Sequence, residues 1–194
     1  GPPGTSVYTN LPAFVLGIIL ERVGGAQIAT LAHHEIFEPL GMHETTFFPA
    51  ADRCAPTEIV AGEVIQGLPH DESARICARA RRSVGHAGLF SNVDDLLTCA
   101  EYLIEHRDSA EVRAAQQGLG WEVADATRMG VHTREGSFAK TGFTGTFIVV
   151  DIQQEAALVL LSNRTYPTRP TNDALINAHY AFRRSIADTF FSPL

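Results

Sequence analysis

Phe147-Ile148-Val149-Val150 and Ala157-Leu158-Val159-Leu160-Leu161, parted by the polar turn Asp151 to Glu155, decide the fold. Two short aliphatic runs joined by a polar turn read as neighbouring antiparallel strands. Upstream, residues 137–150 extend the β pattern and carry Lys140-Thr141-Gly142. Lys140 is the only lysine in 194 residues; every other position of the Lys/Arg class is arginine. An ammonium is a compact charge that shifts its pKa when buried, which a guanidinium does not, so a lone surviving lysine is a candidate for chemistry. Pro167 and Pro170 stop the sheet. Residues 173–190 predict a closing helix with Leu175, Ile176, Tyr180, Ile186 and Ala187 turned inward.

Ahead of the sheet, Leu11, Phe14, Val15, Ile18, Ile19 and Val23 recur at helical spacing, and Gly24-Gly25 suits a left-handed end. A second helix is expected from Ala26 to about Phe37, carrying Ile28, Leu31 and Ile36 and broken at Pro39-Leu40-Gly41. The two read as a helical hairpin. Residues 45–82 are irregular, with closely spaced Pro and Gly and a short strand at Val64-Ile65. Asn92 or Ser91 caps the next helix, whose apolar face is Val93, Leu96, Leu97, Ala100, Leu103 and Ile104. Residues 118–123 read as a strand with the sole tryptophan. Helices gathered before and after an antiparallel hairpin describe an α+β fold, an antiparallel sheet covered by helices, as one domain over 1–194.

Composition narrows the function. With 45 % apolar residues, a chain of this length buries roughly 70 % of the surface its unfolded form exposes. A net charge of −7 with interspersed arginines offers no basic stripe for a phosphate backbone, so no nucleic-acid partner is expected. The longest apolar run, residues 14–20, stops at Glu21-Arg22, short of the ~20 residues a bilayer span needs. Cys54, Cys77 and Cys99 are odd in number and widely spaced, suggesting neither a disulfide framework nor a thiolate zinc site. His33-His34-Glu35 on a plain helix cannot aim both imidazoles at one ion, so no metal and no cofactor is predicted. His70-Asp71 and His86 sit among glycines and are read as lining a cleft or bracing its loops. Arg79, Arg81 and Arg82 read as a solvated face. Gly1-Pro2 looks like the pair left by a tag-cleaving protease.

Five separated segments carry a family resemblance: residues 3–10 with Tyr8-Thr9-Asn10, the helix after them, residues 37–42, residues 85–91, and Thr141-Gly142-Phe143-Thr144-Gly145-Thr146 after Lys140. In this order they resemble the serine β-lactamase and penicillin-binding protein superfamily, particularly its class C lactamase-like esterases. The fold this implies is the β-lactamase/transpeptidase-like αβα sandwich, here incomplete. The chemistry implied is acyl transfer through a covalent serine ester, which needs a base beside the serine.

By that resemblance Tyr8 and Lys140 are catalytic. Tyr8 shuttles the proton to or from serine and leaving group, and Lys140 with Thr141 keeps Tyr8 reactive and receives a substrate carboxylate. Asn10 orients the substrate amide, though its position before Leu11 equally suits a helix cap. Gly142 lets the substrate approach the backbone, and the Phe143 N–H serves as one oxyanion-hole donor. The family's nucleophile motif, Ser-x-x-Lys ahead of Tyr-x-Asn, has no place here. Ser137-Phe138-Ala139-Lys140 matches as a string but falls on a strand, where the two side chains point to opposite faces.

The expectation is therefore part of a serine hydrolase acting on a small-molecule ester, β-lactam or D-amino-acid peptide, with the serine outside this chain and the chain alone inactive. The alternative is a noncatalytic binding module that keeps a penicillin-binding-like cleft. Apolar surface around Phe14, Ile18 and Phe147 is expected to stand uncovered, so oligomerisation or pairing with the serine-bearing portion is predicted.

Overall fold

The computed structural model describes residues 4, 7–123 and 125–193; the tag-like pair and the Pro3, Thr5 and Ser6 positions of the first family segment lie outside the described residues. Four antiparallel strands form the main sheet in the order β3-β4-β5-β6: β3 (Glu122–Val123), β4 (Phe138–Thr141), β5 (Phe147–Asp151) and β6 (Ala156–Leu160). The expected hairpin is β5-β6, with Val149 opposite Leu158. Alternation splits the strand residues between two cores. Phe138 and Val150 face Ala100, Val112 and Ala115, on α5 (Val93–Glu105) and α6 (Ala110–Gln116). Ala139, Phe147 and Val149 face Met129, Ala187 and Phe191, on or beside α7 (Ala126–Met129) and α8 (Asp173–Phe190). The result is the αβα sandwich that the resemblance implied.

Several boundaries differ from the sequence reading. The β run of 137–150 is cut by a turn at 142–146, because Gly142 N–H donates to Thr146 O at 2.8 Å and Gly145 adopts φ 129°. The strand expected at 118–123 shrinks to Glu122–Val123, since Gly118 and Gly120 both take positive φ. Helix α4 (Glu72–Arg79), α6 and α7 add to the expected set; each is short, and each N-cap (Asp71, Ser109, Asp125) accepts from a backbone N–H of its first turn. Asn92, rather than Ser91, caps α5, accepting from Asp95 N–H. A two-stranded ribbon, β1 (Glu58–Val60) with β2 (Glu63–Ile65), fills the irregular region.

On α8 the inward residues are Arg183 and Ala187, whereas Leu175 and Tyr180 are exposed. Phe147, expected to stand uncovered, is 2 % exposed inside the second core.

Helix α1 (Leu11–Gly24) ends as predicted, with Gly25 at φ 70°. The chain then runs through α2 (Ile28–Ala32), a π-helical turn (His33–Phe37) and α3 (Glu38–Leu40), one continuous path that passes Pro39 and ends at Gly41, φ 73°. This path leaves α1 at 74°, so the pair makes a corner and not a hairpin. Gly17 is the only buried residue of α1. It seats the helix on the segment at Gly85, where a Cβ would fall 2.4 Å from Ala13 O and 3.0 Å from Gly17 Cα. Among the described residues no single helix is long and apolar enough to cross a membrane.

Candidate active site

The end of β4 is where the sheet opens. β3 pairs only with Phe138 and Ala139, so Lys140 and Thr141 run on past it with one edge unpaired. Lys140 lies across from Ile148, on the α5/α6 face, and its Nζ donates to Gly120 O at 2.8 Å. No carboxylate of the described residues lies within 4.0 Å of it. Thr141 Oγ1 donates to Glu122 Oε1 at 2.7 Å, and Glu122 in turn holds Arg128 at 2.8 Å. Gly142 leaves room for Thr146: a Cβ there would sit 2.1 Å from Thr146 Oγ1, so that hydroxyl would have to turn away.

The turn after Gly142 has every carbonyl occupied. Arg183, 2 % exposed, donates from Nη2 to Gly142 O (2.8 Å) and from Nε to Gly145 O (3.1 Å), which also accepts from Ser162 Oγ at 2.7 Å. Arg164 donates from Nε to Phe143 O and from its backbone N–H to Thr144 O, each at 2.7 Å. Burial, helped by the neighbouring Arg164 charge, brings the Arg183 pKa down to about 10. The four carbonyls are thus taken, while the N–H groups of Phe143 and Thr144 donate to no described residue. A backbone N–H held this way is a ready donor to an anion.

Asn10 precedes α1 but does not cap it; Thr9 Oγ1 accepts from Leu11 N–H at 3.2 Å instead. That leaves the Asn10 amide to donate from Nδ2 to Asp71 Oδ2 at 3.1 Å. Asp71 is the hub. Its Oδ1 accepts from Ser73 Oγ (2.6 Å) and Ala74 N–H (2.9 Å) and lies 3.1 Å from His86 Nε2. His86 packs against Phe14, ring centroids 5.7 Å apart, so three of the resembling segments, those of Asn10, α1 and His86, meet on Asp71 and its neighbours. Beside it, His70 stacks under the Phe143 ring at 5.4 Å, which carries the same loop to the end of β4.

His70-Asp71 and His86 thus brace loops, one of the two roles their sequence setting suggests. Tyr8 projects into solvent, 93 % exposed, and no hydrogen bond joins it to Lys140. Asn10 and Phe143 are brought to one loop; Tyr8 and Lys140 are not joined.

Sequence reasoning missed Glu58, Arg164, Arg169 and Arg183. Glu58 is buried between a fork from Arg169 (2.8 and 2.7 Å) and His70 Nε2, 3.2 Å away but out of line for a hydrogen bond. The Arg169 hydrogen bonds hold the Glu58 carboxyl below its usual range, and burial with the Arg169 charge lowers His70. Nothing in the local sequence marks these pairs, because Glu58 and Arg169 are 111 residues apart.

For Asp71, partial burial works upward, but the hydrogen bonds from Ser73, Ala74 and His86 win and hold the carboxyl at about 2, against 3.8 for a free one. A depressed carboxyl pKa stabilises the fold above the unfolded value and stops doing so as pH falls through the folded one. Stability measured in urea is therefore expected to fall between about pH 4 and pH 2 in the native chain, and less steeply in Asp71→Asn. Parallel curves for the two proteins would contradict the hub.

A family model described as Beta-lactamase matches residues 1–181. A relative from Escherichia coli K12, provisionally named D-alanyl-D-alanine carboxypeptidase, is 27 % identical over 210 residues, covering 89 % of this chain and 48 % of its own. A solved β-lactamase from Mycobacterium bovis matches with TM-score 0.62 at 20 % identity, over 100 % of this chain and 67 % of that one. A β-lactamase/D-alanine carboxypeptidase from Yersinia pestis matches with TM-score 0.60 at 20 % identity, over 98 % of this chain and 57 % of that one. The structural likenesses bear out the fold. The chain spans about half the length of the curated relatives it matches.

Proposed function

The chain belongs to the β-lactamase family, and from that premise we propose that it forms one wall of the cleft of a serine hydrolase working through an acyl-enzyme. The bond cleaved is an ester, a β-lactam or a D-amino-acid peptide, and the nucleophilic serine comes from residues outside these 194. The observation that carries the reading is the turn after Lys140-Thr141-Gly142: its carbonyls are all engaged, and the Phe143 N–H donates to no described residue at the open edge of β4. A developing oxyanion needs a fixed donor of that kind, and losing one typically costs ~10²–10³ in rate. Lys140 adds a positive charge with no carboxylate partner among the described residues, suited to a substrate carboxylate or to the Tyr8 hydroxyl. Asn10, fixed by Asp71, is held to meet the substrate amide.

Ser137 does not serve as nucleophile in this reading. It is 3 % exposed, and its hydroxyl donates to Arg134 O at 2.7 Å. The serine-bearing portion is also what covers α1, along which Leu11, Val15, Leu16, Ile18, Ile19, Leu20 and Val23 are all exposed. A contiguous apolar face of that extent marks an interface.

Intact mass after treatment with a fluorophosphonate and, separately, a penicillin tests the proposal. No adduct is expected on this chain or on Ser137→Ala. A stoichiometric adduct is expected on a longer protein that includes the chain, placed on a serine outside it. An adduct on the chain that Ser137→Ala removes would overturn the reading, as would a longer protein that binds penicillin without forming any covalent product.

A further inference from the structure

The histidine pair on the second helical path is set differently from what a plain helix gives. In an α-helix of 3.6 residues per turn, adjacent side chains face well apart. Here the chain takes a π-helical turn over His33–Phe37, whose wider i→i+5 winding reduces that angle. The two imidazoles meet edge to face with centroids 5.3 Å apart, and His34 Nδ1 lies 3.1 Å from Glu38 Oε2. One ligand atom each from His33, His34 and Glu38 falls within 4.8 Å of the others, the only such group of three among the described residues. Glu35 and Glu38, the two carboxylates on this turn, are paired with no lysine or arginine among the described residues, while Glu44 further on is taken by Arg53 at 2.6 Å.

We propose that His33, His34 and Glu38 bind a divalent late first-row cation, with Zn²⁺ as the probe. Two imidazole nitrogens and one carboxylate oxygen are a ligand set that such ions accept, with water completing a tetrahedron. Tetrahedral bonds of about 2.0–2.1 Å need ligand atoms somewhat over 3 Å apart. The three side chains are exposed, and binding requires them to close from within 4.8 Å of one another to that separation. The bound ion pins the π-helical turn, and its binding free energy adds to the stability of the folded chain. The cleft at Lys140 plays no part in this site.

The test is calorimetric titration of the untagged, chelator-stripped chain with Zn²⁺, together with the visible absorption of the Co²⁺ form. One ion per chain is expected, with a tetrahedral Co²⁺ spectrum. His34→Ala and Glu38→Gln are each expected to weaken binding by about tenfold or more, a loss of at least ~1.4 kcal/mol. His132→Ala, at an exposed histidine outside the cluster, should bind as the native chain does. Protection of His33 and His34 from diethyl pyrocarbonate by Zn²⁺, read by peptide mapping, gives a second measurement on the unmutated protein. Absence of a stoichiometric site, or a site that survives His33→Ala/His34→Ala, or lack of protection, each overturns the proposal.

Discussion

Arg169→Ala is expected to lower the unfolding free energy by about 3–5 kcal/mol near neutral pH, the usual cost of removing one partner from a buried ion pair. The reason is Glu58. This residue is 6 % exposed, lies beside His70, and takes both arms of the Arg169 guanidinium on its carboxylate. Without them a carboxylate that is 6 % exposed keeps only the His70 imidazole beside it. Arg169 also reaches Glu72 at 2.7 Å, at the start of α4, but that carboxylate is exposed and its pairing contributes little.

The pH dependence has the sign of the shift. Arg169 holds Glu58 below the ordinary carboxylate range, so its contribution is present above the unfolded pKa, near 4.5, and fades as pH falls below it. The deficit of Arg169→Ala should therefore shrink in acid, where Glu58 protonates and the native chain loses the same pairing. Arg169→Ala/Glu58→Gln should recover part of the loss at neutral pH, because the stranded charge is gone. Chemical denaturation at several pH values measures all three. A deficit below about 1 kcal/mol at neutral pH would mean that water reaches Glu58 in the variant, and that its burial does not make the pairing with Arg169 obligatory.

Lys140→Ala, made in a longer protein that carries this chain with its serine, should lower kcat/KM by about 10²–10⁴. Lys140 has no acid partner in the described residues, its edge of β4 is open, and the available Phe143 N–H lies three residues on. Lys140→Arg should not restore the rate, since a planar, always-charged fork cannot replace a compact ammonium at a tyrosine hydroxyl. Tyr8→Phe should cost a comparable factor, and the double variant little more than either alone, as expected of groups acting as a unit. Activity of Lys140→Ala within about threefold of the unmutated protein would remove the lysine from the mechanism.

In the proposed reading, Tyr8 is completed by the serine-bearing portion. Its 93 % exposure and the apolar face of α1 immediately after it are two signs of one uncovered region. The cleft reading requires the serine-bearing part to fold over that region and bring the phenol toward Lys140.

Elements whose identity is local were legible in the residues alone. The β5-β6 hairpin, α1 with its glycine end, α5 with a cap at Ser91 or Asn92 and the bounds of α8 rest on periodicity, capping and turn residues, all encoded within a few positions. The same local reading singles out Lys140 as a lone lysine on a β run, whereas Tyr8-Thr9-Asn10 is marked only by the family resemblance. Whatever depends on residues far apart in the chain was settled by the three-dimensional arrangement. Asn10 as a bridge and not a cap, Asp71 as the hub, and Glu58 sealed by a guanidinium 111 positions away are long-range choices that no local spacing records. The same holds for α8, where apolar spacing pointed Leu175 and Tyr180 inward. The buried position went instead to Arg183, because four turn carbonyls needed donors and its reach supplied them together with Arg164. Local sequence sets how a segment coils; which face it buries is set by the unmet hydrogen bonds of the segments it meets.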